Sequence, residues 1–115
     1  MKNYRILFMG TAPFAVPSLK KIVSSNNHLV SVYTSPAKKA NRGMKLSISP
    51  VAEFAEAENI EISSPPSISS SEELKKLREM NLDIIIVVAY GLILPEEVIN
   101  LPKLGCFNVH ASLLP

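Results

Sequence analysis

A chain of 115 residues has room for one domain with a single modest core. With 47% hydrophobic and 19% charged residues, it is too apolar to be disordered. The longest unbroken apolar run, Ile84 to Tyr90, falls far short of the ~20 residues that cross a bilayer. The start, Met1-Lys2-Asn3-Tyr4-Arg5 followed by four apolar residues, fits neither a signal peptide nor an anchor. Cys106 is the only cysteine, which excludes an internal disulfide and a multi-cysteine metal site, so a cytoplasmic location and no metal are the expectations.

The net charge of +2 conceals an asymmetry. Residues 1–52 hold eight Lys and Arg and no acid, whereas residues 53–115 hold four against ten acids, so the halves carry +8 and −6. Lys38, Lys39, Arg42 and Lys45 form the densest cationic cluster. It suits phosphates, whose contacts are chiefly electrostatic, although a solvated loop would look the same by charge alone.

In chain order, Arg5 to Gly10 reads as a strand ending at a tight turn. A helix from about Phe14 to Ser25 follows, with Pro13 and Pro17 near its first turn, where a missing amide proton costs little. Its apolar face is drawn by Phe14, Leu19, Ile22 and Val23. Leu29 to Tyr33 is rich in β-formers. Residues 34–50 lack apolar periodicity and hold Pro36, Gly43 and Pro50, which predicts a long exposed loop. Helical spacing returns over Val51 to Glu58, and Ile60 to Ile62 reads as a short strand. A Ser/Pro linker over 63–71 runs into the capping signature Ser70-Ser71-Glu72-Glu73, which opens a helix to about Met80 with Leu74, Leu77 and Arg78 along one side. The β-branched run from Ile84 to Ala89 predicts a strand buried on both faces. Glu96 to Ile99 forms a short helix after Pro95, and Leu104 to His110 the last strand.

Strands alternating with helices specify an α/β fold, a Rossmann-like doubly wound parallel sheet stopping after about five strands. Such sheets bind ligands beyond the carboxyl ends of their strands, where strand order reverses. Gly10 and Thr11, Tyr90 and Gly91, and Asn108 to His110 are the strand ends predicted to meet there. Gly10-Thr11-Ala12 lacks the full Gly-x-Gly-x-x-Gly spacing of nicotinamide sites. Asn108 and His110 lie two apart on a strand and therefore share a face. An amide donor beside an imidazole suits attack on a carbonyl-like carbon, the first stabilising an oxyanion and the second moving a proton. His28 reads as a surface residue, Cys106 as a small hydrophobe and Asp83 as a turn or cap group.

Gly105-Cys106-Phe107-Asn108-Val109-His110-Ala111-Ser112-Leu113-Leu114-Pro115 resembles the active-site signature of the folate-dependent formyltransferases. Val87-Val88-Ala89-Tyr90-Gly91-Leu92-Ile93-Leu94-Pro95 is similar to the branch that acts on methionyl-tRNA, as are Phe8-Met9-Gly10-Thr11 and Phe14-Ala15-Val16-Pro17-Ser18-Leu19. The resemblance implies transfer of a formyl group from 10-formyltetrahydrofolate to the amino group of initiator methionyl-tRNA, the step that readies it for translation initiation. It implies Asn108 and His110 as catalytic residues. Tyr90, Gly91, Leu92, Ile93, Leu94 and Pro95, with Ser112, Leu113, Leu114 and Pro115, would hold the folate, and Gly10, Thr11 and Phe14 would line the substrate pocket. Thr34-Ser35-Pro36 and Asn41-Arg42-Gly43-Met44-Lys45-Leu46 resemble the family's tRNA-contacting insertion, departing from it at Ala37, Asn41 and Met44; Lys38, Lys39, Arg42 and Lys45 are its candidate tRNA ligands.

Residues 1–115 would then be the amino-terminal portion of the catalytic domain, monomeric when full length. The family's later aspartate, which orients the histidine, and its C-terminal tRNA-binding domain fall outside these residues, so the isolated chain is expected to be a poor catalyst. The alternatives are a sister enzyme formylating a sugar amine or glycinamide nucleotide, and a non-catalytic nucleotide- or RNA-binding module.

Overall fold

The computed structural model describes residues 3–40 and 45–109, and for 38–40 and 45–47 the backbone alone. These residues form seven strands and four helices: β1 (Arg5–Gly10), α1 (Val16–Val23, preceded by a 3-10 turn at Pro13–Ala15), β2 (His28–Tyr33), β3 (Lys38–Ala40), β4 (Lys45–Ser47), α2 (Pro50–Ala57), β5 (Ile62–Ser63), α3 (Ser71–Glu79), β6 (Ile84–Val88), α4 (Glu96–Ile99) and β7 (Gly105–Val109). Five strands form one parallel sheet in the order β5-β2-β1-β6-β7. From β1 the chain winds outward through β2 and β5, then returns to the other side of β1 as β6. Strand order therefore reverses between β1 and β6, as the alternating pattern requires.

Alternation along β1 feeds two cores. Ile6 and Phe8 pack with Ala15, Leu19 and Ile22 from the first helical segment and with Val51 and Ala55 of α2. Leu7 and Met9 face the opposite layer, with Leu77 of α3 and Val98 of α4. Helices on both faces explain why β6 is apolar at every position. The outer strand is less covered: Phe107 is 52% and Val109 42% exposed on β7.

Helix ends follow local chemistry. Ser49 and Ser70 accept the amides of Ala52 and Glu73, capping α2 and α3. Glu72 and Glu73 open α3 while Lys76 and Arg78 lie in its last turn, matching the helix dipole. Beyond α2, Asn59 adopts φ 58°, and the amides of Asn59 and Ile60 return to the carbonyls of Glu56 and Ala55, closing a Schellman motif. Asp83 acts as the turn group expected, its carboxylate accepting the Arg5 amide at 2.9 Å.

Several expectations need correction. Residues 34–50 are not a plain loop, because Lys38–Ala40 and Lys45–Ser47 pair as an antiparallel ribbon. Phe14 and Val23 lie outside the core, 45% and 36% exposed, because the helix starts two residues later and turns Ala15, Leu19 and Ile22 inward. Arg78 is exposed, and Leu77 is the one fully buried side chain of α3. Ile68, within the supposed polar linker, is buried against the α3 face of the sheet.

Gly10 shows how tightly the switch point is packed. A Cβ there would meet Phe8 Cε2 at 2.7 Å, the Val88 carbonyl oxygen at 2.8 Å and Ala15 Cβ at 2.9 Å. We expect Gly10→Ala to lose about 1–3 kcal/mol of unfolding free energy in urea titrations. An unchanged midpoint would show that the contact yields freely.

Candidate active site

The carboxyl ends of β1, β6 and β7 open onto a cavity of about 460 Å³ lined by Ala12, Phe14, Val87, Ala89, Tyr90, Gly91, Leu92, Asn108 and Val109. Parallel register brings Val87 level with Asn108, so both point to one face, Val87 as wall and Asn108 as exposed amide. Phe14 reaches in from the turn after β1, the position it holds instead of a place in the core. Among these lining side chains, only Asn108 and Tyr90 carry polar atoms. The Tyr90 ring belongs to the core cluster with Leu77 and Val98, and its buried hydroxyl has no hydrogen-bond partner among the described residues. Asn108 is thus the polar side chain that the walls present to a ligand.

The segment 90–95 divides its work. Tyr90, Gly91 and Leu92 line the cavity. Ile93 is 95% exposed, Leu94 packs against the core, and Pro95 precedes the first turn of α4. Gly10 and Thr11 do not line the cavity: the first is buried, and the hydroxyl of the second is engaged with neighbouring protein atoms. Arg42, His110, Ser112, Leu113, Leu114 and Pro115 lie outside the described residues. Lys38, Lys39 and Lys45 fall on the two strands of the ribbon, where Lys38 pairs with Ser47, Lys39 with Leu46, and Ala40 with Lys45. Ser35, expected only within the tRNA-contacting insertion, instead donates to the Tyr90 carbonyl, and the Tyr33–Glu73 contact behind the cavity was not foreseen; the run Tyr33-Thr34-Ser35 at a strand end was the available signal.

Behind that wall, the Tyr33 hydroxyl donates to Glu73 Oε1 at 2.6 Å. Burial, then the hydrogen bond and negative charge of Glu73, push the Tyr33 phenol far above its usual range. Burial and the same carboxylate push Tyr90 up to about 12. Burial also raises the Cys106 thiol, which favours its protonated form. Among the described residues, no cluster of His, Cys, Asp and Glu could hold a metal ion, and no helix is long and apolar enough to cross a membrane.

A reversed-order parallel sheet with an amide at the mouth of an apolar crevice is the architecture with which α/β folds bind small ligands. Residues 3–115 match the family described as formyl transferase, and the chain belongs to that family. It is 50% identical over 112 residues to the methionyl-tRNA formyltransferase of Caldanaerobacter subterraneus subsp. tengcongensis, and 48% identical over 111 residues to that of Clostridioides difficile. Each alignment covers 96% of this chain and 36% of the relative, so the chain spans about a third of the length of these curated proteins. In fold it is similar to phosphoribosylglycinamide formyltransferase from Bacillus halodurans, with a TM-score of 0.65 at 14% identity, covering 96% of this chain and 58% of that one.

The buried phenols give a pH signature. A pKa raised by folding stabilises the native state fully below the unfolded phenol's value near 10, and that contribution fades as pH climbs through about 12. Tyr90→Phe removes an unpartnered hydroxyl, so it should hold or raise stability at pH 8 and make the decline between pH 10 and 12 shallower. Urea unfolding at pH 8 and 11 checks both; an undiminished alkaline loss would count against the assignment.

Proposed function

We propose that the cavity receives the formyl-bearing end of 10-formyltetrahydrofolate, and that the protein carrying this chain formylates the amino group of initiator methionyl-tRNA in the cytoplasm, as a monomer when full length. Residues 1–115 are then the amino-terminal portion of its catalytic domain, with the tRNA-binding domain supplied by later sequence. The observation carrying this reading is Asn108: one exposed amide at the mouth of a crevice walled by Val87, Leu92, Val109 and Phe14. Flat apolar walls with a few polar groups suit a heteroaromatic ring. The two methionyl-tRNA formyltransferases at about half identity favour this acceptor over a sugar amine or a glycinamide nucleotide.

In the reaction, the acceptor nitrogen bonds to the formyl carbon and the carbonyl electron pair moves onto oxygen. The Asn108 side chain donates an N–H to that oxygen, an interaction that strengthens as charge develops there. Collapse of the tetrahedral adduct breaks the bond from carbon to the folate nitrogen. His110 carries a proton from the attacking nitrogen to the leaving one. Leu92 and its neighbours exclude water, so the formyl group passes to the amine rather than to hydroxide. Lys38, Lys39 and Lys45 of the β3–β4 ribbon, with Arg42 between them in sequence, attract the tRNA backbone.

Asn108→Ala in the full-length protein should lower kcat for Met-tRNA formylation about 10²–10³-fold, as loss of one oxyanion donor does elsewhere; activity within threefold of wild type would remove Asn108 from the chemistry. Replacing Lys38, Lys39 and Lys45 together by Ala should weaken tRNA binding and flatten its dependence on salt by roughly two to three counterions. A tRNA affinity with unaltered salt slope would take the ribbon out of the interface.

A further inference from the structure

The loop that walls the cavity is strained, and its restraints come from outside it. Ala89 has φ 49° and Gly91 φ 95°, so a non-glycine residue and a glycine both occupy left-handed backbone within three positions. Such a turn persists only where its surroundings fix it. The Ala89 carbonyl accepts the amides of Thr11 at 3.0 Å and Ala12 at 3.3 Å. The next carbonyl, of Tyr90, accepts the hydroxyls of Thr11 and Ser35, each at 2.7 Å.

Counting protons and lone pairs orders the network. A carbonyl oxygen has two lone pairs: the Ser35 proton takes one at Tyr90, and the single Thr11 proton, which also has Ser35 Oγ in reach at 3.0 Å, takes the other by its shorter 2.7 Å contact. Thr11 Oγ1, its proton committed, accepts the Ser35 amide at 3.0 Å and lies 3.4 Å from the Thr34 hydroxyl. Thr34 Oγ1 is 2.6 Å from Ser49 Oγ, which caps α2. Ser35 is only 8% and Thr34 1% exposed, so water does not readily substitute for these partners. Gly91 closes the arrangement, since a Cβ there would stand 3.3 Å from Ser35 Oγ. Thr34-Ser35 leads into the β3–β4 ribbon and Ser49 leaves it, so one hydroxyl chain ties the base of the ribbon to the wall of the crevice.

We propose that Thr11 and Ser35 are positioning residues for the one-carbon donor: by filling both lone pairs of the Tyr90 carbonyl, they hold the peptide planes of Tyr90, Gly91 and Leu92 in the orientation that receives the donor's ring. This rests on the reading of the crevice as the donor site. Neither residue need touch the donor, so their loss is felt in donor binding before chemistry.

The test is steady-state formyl transfer by the full-length protein carrying this chain, with Thr11→Val, Ser35→Ala and the hydroxyl-retaining Thr11→Ser. Thr11→Val and Ser35→Ala should each raise KM for the formyl donor about tenfold, the effect of one or two buried hydrogen bonds. KM for the amine acceptor should rise clearly less than KM for the donor, and Thr11→Ser should restore the donor KM. If Thr11→Val fails to fold, Ser35→Ala, which removes one hydroxyl and no bulk, carries the same test. Lower melting temperatures with an unchanged donor KM would make the hydroxyls purely structural and overturn the proposal. Wild-type protein that does not turn over a formyl-folate would bring down the donor-site reading itself, a result distinct from normal wild-type turnover with unaffected variants.

Discussion

The molecule depends on a single crossing of the chain: the carbonyl of Ala89 takes the amides of both Thr11 and Ala12. That contact joins the end of β1 to the end of β6 at the point where strand order reverses. There the segments after β1 and β6, with Asn108 and Val109 of β7, line one crevice. Everything else at the site is built outward from this junction. Gly10 lets the 3-10 turn sit down on the sheet, the turn carries Phe14 over the opening, and parallel register sets Asn108 beside Val87.

The chemistry asked of this region is modest in its parts. One side-chain amide faces a cavity whose other surfaces are chiefly carbon and backbone; in the proposed reaction its hydrogen bond to a developing negative charge gains strength once bound substrate displaces water. Preorganisation matters more than inventory. Ala89 holds a left-handed conformation that a non-glycine residue rarely adopts, and the segments following β1 and β2 keep it and Tyr90 in place. Stability spent on that turn is recovered from the two apolar clusters, where Phe8, Leu7, Met9 and Ile85 are fully sealed from water.

Much of this architecture is legible in the sequence because it depends on local pattern. Ile84 to Val88 announces a strand covered on both faces, and Ser70 with Glu73 announces a helix start; both signals lie within a few residues. The family signature around Asn108 likewise survives as a string. What escapes is set by partners distant in the chain. Ile68 sits among serines and prolines and is buried because α3 folds back over it, which no nearby periodicity reports. Phe14 scores as a core residue by spacing, yet the shift of one turn to 3-10 geometry sends it to the crevice. The ribbon at 38–47 is three residues wide on each strand, too short for alternation to show. Ser35 is a common loop residue until Tyr90, 55 positions later, supplies its acceptor.

The pairing of β1 with β6 also governs when the crevice can come into being. Residues 5–10 are made first, yet their inner neighbour is 84–88 and the outermost wall comes from 105–109. A ribosome adding ~5–20 residues each second leaves β1 exposed along one margin for several seconds. Through that interval Leu7 and Met9 have only half their shelter, so the early sheet of β1, β2 and β5 is a species that chaperones would meet. Among the described strands, the crevice is therefore complete only once 105–109 has emerged to pair with 84–88.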